Sequence, residues 1–252
     1  MTVSGSVANE DRREELRREL RTAGVIDLNA SAAKWNVHPM TIRRDLDFLE
    51  QEGIARRVRG GAIHVGVEDF QQRQGRELAA KRRIAQKLLP LLPRKTAIGL
   101  DASTTVFQFV RSIARAEQLS VITNGLATFE SLQNKAGIRS YLTGGESEEA
   151  NHSLVGPLAV AAVSGFLLTR CFVSTTCLDP MMGTSEGTTA QVEVKRAMAD
   201  ASEHVVLAAD SSKLGTRSLV RALPMSRIDV LVTELDVSDP RLDPYRNLVE
   251  IL

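Results

Sequence analysis

The 252 residues include two cysteines, four histidines and one tryptophan, and each scarcity closes off a class of function. Cys171 and Cys177 lie within seven residues of each other in an apolar stretch, form no CxxC pair and have no histidine cluster beside them. That pattern lacks the spacing of a zinc site and the framework of a disulfide-stapled domain, so two buried, reduced thiols are expected. No motif asks for a metal or an organic cofactor. Long apolar runs are also missing. No stretch approaches 18 apolar residues, and residues 1–11 are polar, without the apolar core of a signal peptide. No membrane partner is expected, and a cytoplasmic location follows by default. A net charge of +1 says nothing by itself about nucleic acid. What is there, 43% hydrophobic and 25% charged residues, is ordinary for a globular chain long enough for one large domain or a small and a medium one.

The charge is unevenly spread. Residues 1–95 hold 19 Lys and Arg against 13 Asp and Glu, whereas residues 96–252 hold 13 against 18. The steepest section is 54–95, with 11 basic and 3 acidic residues. A polyanion partner for the N-terminal third fits this asymmetry, because bases that neutralise phosphates release counterions. A solvated basic linker fits it equally.

Residues 10–23 are rich in helix formers, with Leu16, Leu20 and Ala23 at helical spacing and Gly24 as a stop suited to a left-handed cap. A short second helix is expected over 30–35, where Ala32, Ala33 and Trp35 are small or apolar. Residues 36–39 break the pattern, and Pro39 suits the first turn of a third helix, where the N–H it lacks has no partner anyway. Over 39–52, Ile42, Leu46 and Leu49 make one buried stripe and leave Thr41, Arg43, Arg44 and Asp47 off it. Thr41, Arg43 and Arg44 lie near the helix N-terminus, the end that a recognition helix inserts into the major groove. Arginine can bond bidentately to guanine or clamp a phosphate, and threonine can reach a phosphate or a thymine methyl. The helix is expected to end at Gly53. Residues 54–59, the turn Gly60-Gly61 and residues 62–65 then read as a two-stranded ribbon, whose first strand carries Arg56, Arg57 and Arg59.

The run HPMTIRRDLDFLEQEGIARRVRGGA (residues 38–62) resembles the signature of DeoR-type repressors, which join a T-[IV]-R-R-D-L recognition helix to an R-R-x-x-G-G-A wing. Thr41-Ile42-Arg43-Arg44-Asp45-Leu46, followed by Arg56-Arg57 and Gly60-Gly61-Ala62, carries the resemblance. It implies a winged helix-turn-helix over residues 10–65 that binds double-stranded operator DNA. The residues implied are His38, Met40, Thr41, Arg43, Arg44, Asp47, Arg56, Arg57, Arg59, Gly60 and Gly61. Two positions depart from the family: Ser31 stands where a leucine is usual, and His38 replaces a serine N-cap, a contact typically worth ~1 kcal/mol.

Residues 66–95 form a basic linker. Leu78, Ile84, Ala85, Leu88 and Leu89 give one helical apolar face across 70–93, and Arg73, Arg76, Lys81, Arg82, Arg83 and Lys87 make the segment basic. It either tracks phosphates beside the wing or connects the domains with its apolar face docked on the second; the second reading is favoured.

From residue 96 to 252, short apolar runs alternate with helical patterns. Residues 97–100, 120–123, 139–142, 171–173, 204–208 and 228–232 are candidate buried strands, and 105–116, 126–134, 154–166 and 191–201 candidate helices. The alternation predicts an α/β domain with a mostly parallel sheet covered on both faces, whose ligand would lie beyond the C-terminal strand ends. Those ends carry Asp101-Ala102-Ser103-Thr104-Thr105, Thr123-Asn124-Gly125, Thr143-Gly144-Gly145 and Asp210-Ser211-Ser212-Lys213. Hydroxyls and free N–H groups at a helix start make an anion site, and glycines let backbone approach a ligand.

These motifs, with Ser153-Leu154-Val155-Gly156-Pro157 and Glu193-Val194-Lys195-Arg196-Ala197-Met198, resemble the DeoR C-terminal sensor, a fold similar to ribose-5-phosphate isomerase. The resemblance spans residues 12–235 and implies a phosphorylated sugar or sugar-derived effector. Ser103, Thr104 and Thr105 would hold the phosphate, and Asp101, Asn124, Glu193 and Lys213 would line the polar pocket, with Thr123, Gly144 and Gly145 at the flanking strand ends. One departure bears on the ligand. Members of the family run G-A-D-G after the central strand, whereas this chain has Ser174-Thr175-Thr176-Cys177, with Glu186 in the following turn as a carboxylate able to compensate.

The expectation is a ligand-controlled, sequence-specific transcriptional regulator acting as a repressor. It would be a homo-oligomeric dimer or tetramer, because paired recognition helices multiply a modest half-site affinity. The alternative is a sugar-phosphate isomerase with a fused DNA-binding arm, in which Asp101, Glu193 and Lys213 would assemble the base and enediolate stabiliser. Thr176 at the usual acidic position, and the lack of any reason for an enzyme to carry residues 38–62, argue against an enzyme.

Overall fold

The computed structural model describes residues 3–52, 54–64 and 70–252, and the chain divides into two units, Met1–Gly75 and Arg76–Leu252. The first contains α1 (Val3–Ala23), β1 (Val25–Asp27), α2 (Leu28–Trp35), α3 (Pro39–Gln51), β2 (Ala55–Val58), β3 (Gly61–His64) and α4 (Phe70–Gly75). Leu16 and Leu20 of α1 and Ile42, Leu46 and Leu49 of α3 are fully buried together with Ile26 and Ala62. Their spacing at three, four and seven residues put them on one stripe of each helix.

Local chemistry marks the helix ends. Asp27 accepts from the Ala30 N–H at 2.8 Å and caps α2, and Asn36 closes that helix in the left-handed conformation. His38 Nδ1 accepts from the Met40 N–H at 3.2 Å, with Pro39 in the first turn of α3. The histidine thus caps the helix in the serine's place. The strands form one antiparallel sheet in the order β1-β3-β2, so the wing hairpin gains a third strand. Gly61 pairs with Asp27 there, and a Cβ on Gly61 would sit 1.8 Å from the Ile26 carbonyl oxygen. Only glycine allows that approach. The expected stop at Gly53, the end of the ribbon at Val65, and residues 66–69 of the expected linker lie outside the described residues.

The single helix expected across 70–93 is two. Phe70 on α4 is buried, and the Gln72 side-chain amide donates to the Leu20 carbonyl at 2.5 Å, which ties α4 to α1. Glu77 then takes a positive φ of 50°, which ends any continuous helix. Beyond it α5 (Leu78–Leu88) buries Ile84, Ala85 and Leu88 in the core of the second unit.

The second unit continues with β4 (Ala97–Leu100), α6 (Thr104–Ser112), β5 (Leu119–Thr123), α7 (Leu126–Leu132), β6 (Ile138–Leu142), β7 (Glu146–Glu148), β8 (Ser153–Val155), α8 (Pro157–Ser164) and β9 (Leu168–Ser174). There follow β10 (Cys177–Asp179), β11 (Gly183–Glu186), α9 (Thr189–Asp200), β12 (Ser202–Ala208), β13 (Val220–Arg221), β14 (Val230–Val232) and β15 (Glu250–Ile251). Seven strands form a parallel sheet in the order β15-β14-β12-β9-β4-β5-β6. Successive strand residues feed two separate cores, as a period of two requires. Ile98, Val121, Phe172 and Val206 pack with α5 and α6 on one face, and Ile122, Cys171, Val173 and Leu207 with Val163 and Met198 on the other.

Differences from the expected pattern are local. The expected helix over 154–166 begins as β8, which pairs with β7, and Gly156 at φ +84° turns the chain into α8. The expected helix over 105–116 stops at Ser112. β10, β11 and β13 form a small antiparallel sheet.

Candidate functional site

In the first unit, burial of the apolar stripe turns Arg43, Arg44 and Asp47 of α3 to solvent, with Thr41 half-buried and Met40 46% exposed. His38, Arg56, Arg59 and Gly60 are also exposed. Asp45 is not. It falls within the stripe, is 2% exposed, and accepts from Arg12 Nε at 2.6 Å and Arg13 Nε at 2.9 Å. The Arg13 guanidinium lies 4.1 Å over the Phe48 ring. Two arginines of α1 therefore pin the register of α3.

Two other expected contact residues are placed differently from the rest. Gly61 is buried, because β1 lies against it. Arg57 is half-buried and its guanidinium is engaged within the protein. Nη1 donates to the Arg43 carbonyl at 3.0 Å and to Asp47 Oδ1 at 2.6 Å, and Nε to the Gly61 carbonyl at 3.2 Å. Its backbone N–H donates to Glu50 Oε1 at 2.7 Å.

In the second unit, the strand order places the site. From β4 the chain runs outward through β5 and β6, then returns to the other side of β4 with β9 and continues through β12, β14 and β15. The order reverses between β4 and β9, and a doubly wound sheet opens its crevice at that switch point, beyond the carboxyl ends of the strands. Asp101 follows β4 there. Its Oδ1 accepts from the N–H and hydroxyl of Ser103, at 3.0 and 2.5 Å, and its Oδ2 from the Ser174 N–H at the end of β9, at 2.8 Å. Ser103 is the N-cap of α6, and Thr104 and Thr105 in the first turn are buried.

A lysine that sequence reasoning did not select completes the cluster. Lys195 on α9 approaches Glu186 Oε1 at 2.5 Å and Asp101 Oδ2 at 3.5 Å and donates to the Ser174 carbonyl. Of the three N–H groups of the ammonium, two are donated to Glu186 and Ser174, and the Asp101 carboxylate lies at ion-pair distance. Burial opposes its charge, but Glu186 and Asp101 outweigh burial and hold its pKa above the ordinary lysine value. Glu186 Oε2 in turn accepts from the Thr176 hydroxyl at 2.7 Å and from its N–H at 3.3 Å. The carboxylate missing at position 176 is thus supplied beside it from β11.

The other expected residues are distributed around this centre. Thr123, the last residue of β5, and Asn124 after it are buried. Thr123 Oγ1 accepts from the Gly125 N–H at 3.0 Å, and the Asn124 amide donates to the Leu154 carbonyl at 3.1 Å, while Asn124 Oδ1 is buried with no hydrogen-bond partner among the described residues. Gly144 is exposed; a Cβ on Gly145 would lie 2.5 Å from the Val155 carbonyl oxygen. Lys213 is half-buried in a 3-10 turn after β12, one strand beyond β9. Glu193 does not join the cluster. Two residues from Lys195 is about 200° around a helix, and Glu193 is exposed. The signal for Lys195 was present: Val192, Lys195 and Ala199 are all buried on α9, a charge inside an apolar stripe.

A second polar group borders the centre. Glu148 accepts from Asn151, Ser153, Thr188 and Gln191, which fastens the β7–β8 hairpin to the start of α9. Among the described residues, no group of three or more His, Cys, Asp or Glu could hold a metal ion, and no helix is long and apolar enough to cross a membrane. Cys171 is buried and Cys177 half-buried, both as free thiols.

Comparison with known proteins agrees with both units. A family model described as a DeoR-like helix-turn-helix domain matches residues 12–66, and one described as the DeoR C terminal sensor domain matches residues 76–235. The L-fucose operon activator of Haemophilus influenzae is 32% identical over 221 residues, covering 86% of this chain and 87% of that protein. The glycerol-3-phosphate regulon repressor of Escherichia coli is 26% identical over 218 residues, covering 85% and 86%. Ribose 5-phosphate isomerase A from Neisseria gonorrhoeae overlays 56% of this chain and 53% of its own, with a TM-score of 0.38 at 18% identity, a likeness too distant to carry an argument about chemistry. With both of its units matched in the family's own order, the chain belongs to the DeoR family of DNA-binding transcriptional regulators.

Proposed function

We propose that a phosphorylated sugar or related metabolite binds at the switch point between β4 and β9, and that its binding sets the affinity of the first unit for operator DNA. The observation that carries this reading is the convergence of Asp101, Ser103, Asn124, Ser174 and the Lys195–Glu186 pair on adjacent strand ends at the order reversal. Ser103, Thr104 and Thr105 stand at the start of α6, and a helix N-terminus with hydroxyls beside it is a setting suited to a phosphate. Asn124 Oδ1 is a buried acceptor that a ligand hydroxyl would satisfy. Thr123, Gly144, Gly145 and Lys213 flank that pocket, and Glu193 lies outside it. The two relatives are named for a glycerol-3-phosphate regulon and an L-fucose operon, which fits a small polyol or sugar ligand.

Exposed Arg43, Arg44, Arg56 and Arg59, with His38, Met40, Thr41 and Gly60, form the proposed DNA surface, and repression is its proposed outcome. A ligand can shift operator affinity only through its differential affinity for two arrangements of the protein. A homo-oligomer, dimer or tetramer, in the cytoplasm is part of the same reading. An isomerase is disfavoured, because a base must be free to take a proton, whereas Asp101 and Glu186 are both paired with the Lys195 ammonium. Thermal denaturation with a panel of sugar phosphates and their parent sugars tests the ligand class. Stabilisation by a phosphorylated member and not by its parent sugar is expected; stabilisation by none contradicts the proposal.

A further inference from the structure

Asp47 and Arg57 fall within the DNA-facing signature, yet their side chains are spent on each other. Arg57 sits on β2, one pair in from the turn of the wing, and joins three separate points: the Asp47 carboxylate and the Arg43 carbonyl on α3, and the Gly61 carbonyl on β3. Glu50, one turn beyond Asp47 on the helix, takes the Arg57 backbone N–H. The planar guanidinium suits this task, because its donors leave in fixed directions and can hold three acceptors in a set geometry. Asp47 also carries a negative charge on a face whose partner is a polyanion, which is unfavourable for a DNA contact unless the carboxylate is neutralised.

We infer that Arg57 is a positioning residue that fixes the angle of the wing to the recognition helix, with Asp47 and Glu50 as its anchors, and that neither Asp47 nor Arg57 reads DNA directly. The inference rests on the first unit binding DNA through α3 and the wing. It assigns the neighbouring arginines different work. Arg56 and Arg59, exposed on the same ribbon, neutralise phosphates, whereas Arg57 keeps the ribbon where they can do so.

The test is an affinity series on a duplex enriched by the wild-type chain from a random-sequence pool, measured across salt concentrations for R57A, R57K, D47A, D47A/R57A and R56A. Loss of a phosphate contact lowers the salt slope by about one, so R56A should flatten it. R57A should bind roughly tenfold more weakly, as loss of a charge-assisted bond implies, with the slope unchanged. R57K, which keeps the charge and loses the fork, should be as weak as R57A. D47A should also weaken binding without changing base preference at any position, and the double variant should be no weaker than R57A. Near-wild-type binding by R57K, a flattened slope in R57A, tighter binding by D47A, or relaxed preference at one base pair in D47A each overturns the inference. Hydrogen exchange needs no DNA: R57A should lose protection across residues 55–64, and unchanged protection there overturns the inference too. A wild-type chain that enriches no duplex contradicts the DNA-binding reading, and the exchange measurement still decides the positioning role.

Discussion

Replacing Lys195 by methionine removes the one cation from a site in which two carboxylates face it. The side chains of Lys195, Asp101 and Glu186 are only 7%, 7% and 8% exposed, so water cannot take over the ammonium's role. Breaking a buried ion pair from one side costs about 3–5 kcal/mol, because the remaining charge is left uncompensated. For a unit of this size that corresponds to a fall in melting temperature of roughly 6–20 °C. The sign of the pH dependence follows. In the wild type the Lys195 pKa lies above its ordinary value, so its contribution is complete below the unfolded lysine pKa and is lost only as pH rises through the folded value. The wild type should thus be insensitive to this group from pH 5 to 9. Adding E186Q should restore part of the loss at pH 8. Circular dichroism follows both units, while Trp35, the sole tryptophan, reports on the first alone and should be unaffected. A loss below about 1 kcal/mol would refute the reasoning.

Three further outcomes are expected. Gly61→Ala places a methyl 1.8 Å from the Ile26 carbonyl and should cost the first unit about 3 kcal/mol or more, read as an earlier Trp35 fluorescence transition. Asp45→Asn weakens both pairs to α1 and should lower that same transition and DNA affinity together, while the second unit melts as before. Cys171 is buried, and burial pushes its thiol up to about 12, so a thiol reagent at pH 8 should modify at most one cysteine in the native chain and two after denaturation.

Periodicity carried the first unit far. Ile42, Leu46 and Leu49 oriented α3, and Gly60-Gly61 placed the wing turn to within one residue: it falls on Arg59-Gly60, and Gly61 opens β3. β1 was not legible, because three residues are too few to show alternation. Its existence nonetheless explains why Gly61 is glycine. In the second unit the apolar runs marked the parallel strands, and the hydroxyl-rich segments after them marked the site edge. Leu154 and Val155 read as the start of a helix because the apolar residues continue into α8, and only the positive φ of Gly156 separates the two. The choice of Glu193 over Lys195 has a similar cause. Motif resemblance does not say which side of α9 faces the sheet, whereas a lysine in line with Val192 and Ala199 does. Asp45 gives the same signal on α3: an acid inside an apolar stripe points to a buried ion pair.

The most direct test of the account is the affinity of the chain for its enriched duplex, by fluorescence anisotropy at fixed salt, with and without each of a panel of sugar phosphates and parent sugars. One phosphorylated member should change the affinity tenfold or more, which is about 1.4 kcal/mol of coupling, and its parent sugar should not. Operator affinity left unchanged by a sugar phosphate that demonstrably stabilises the second unit would contradict the account.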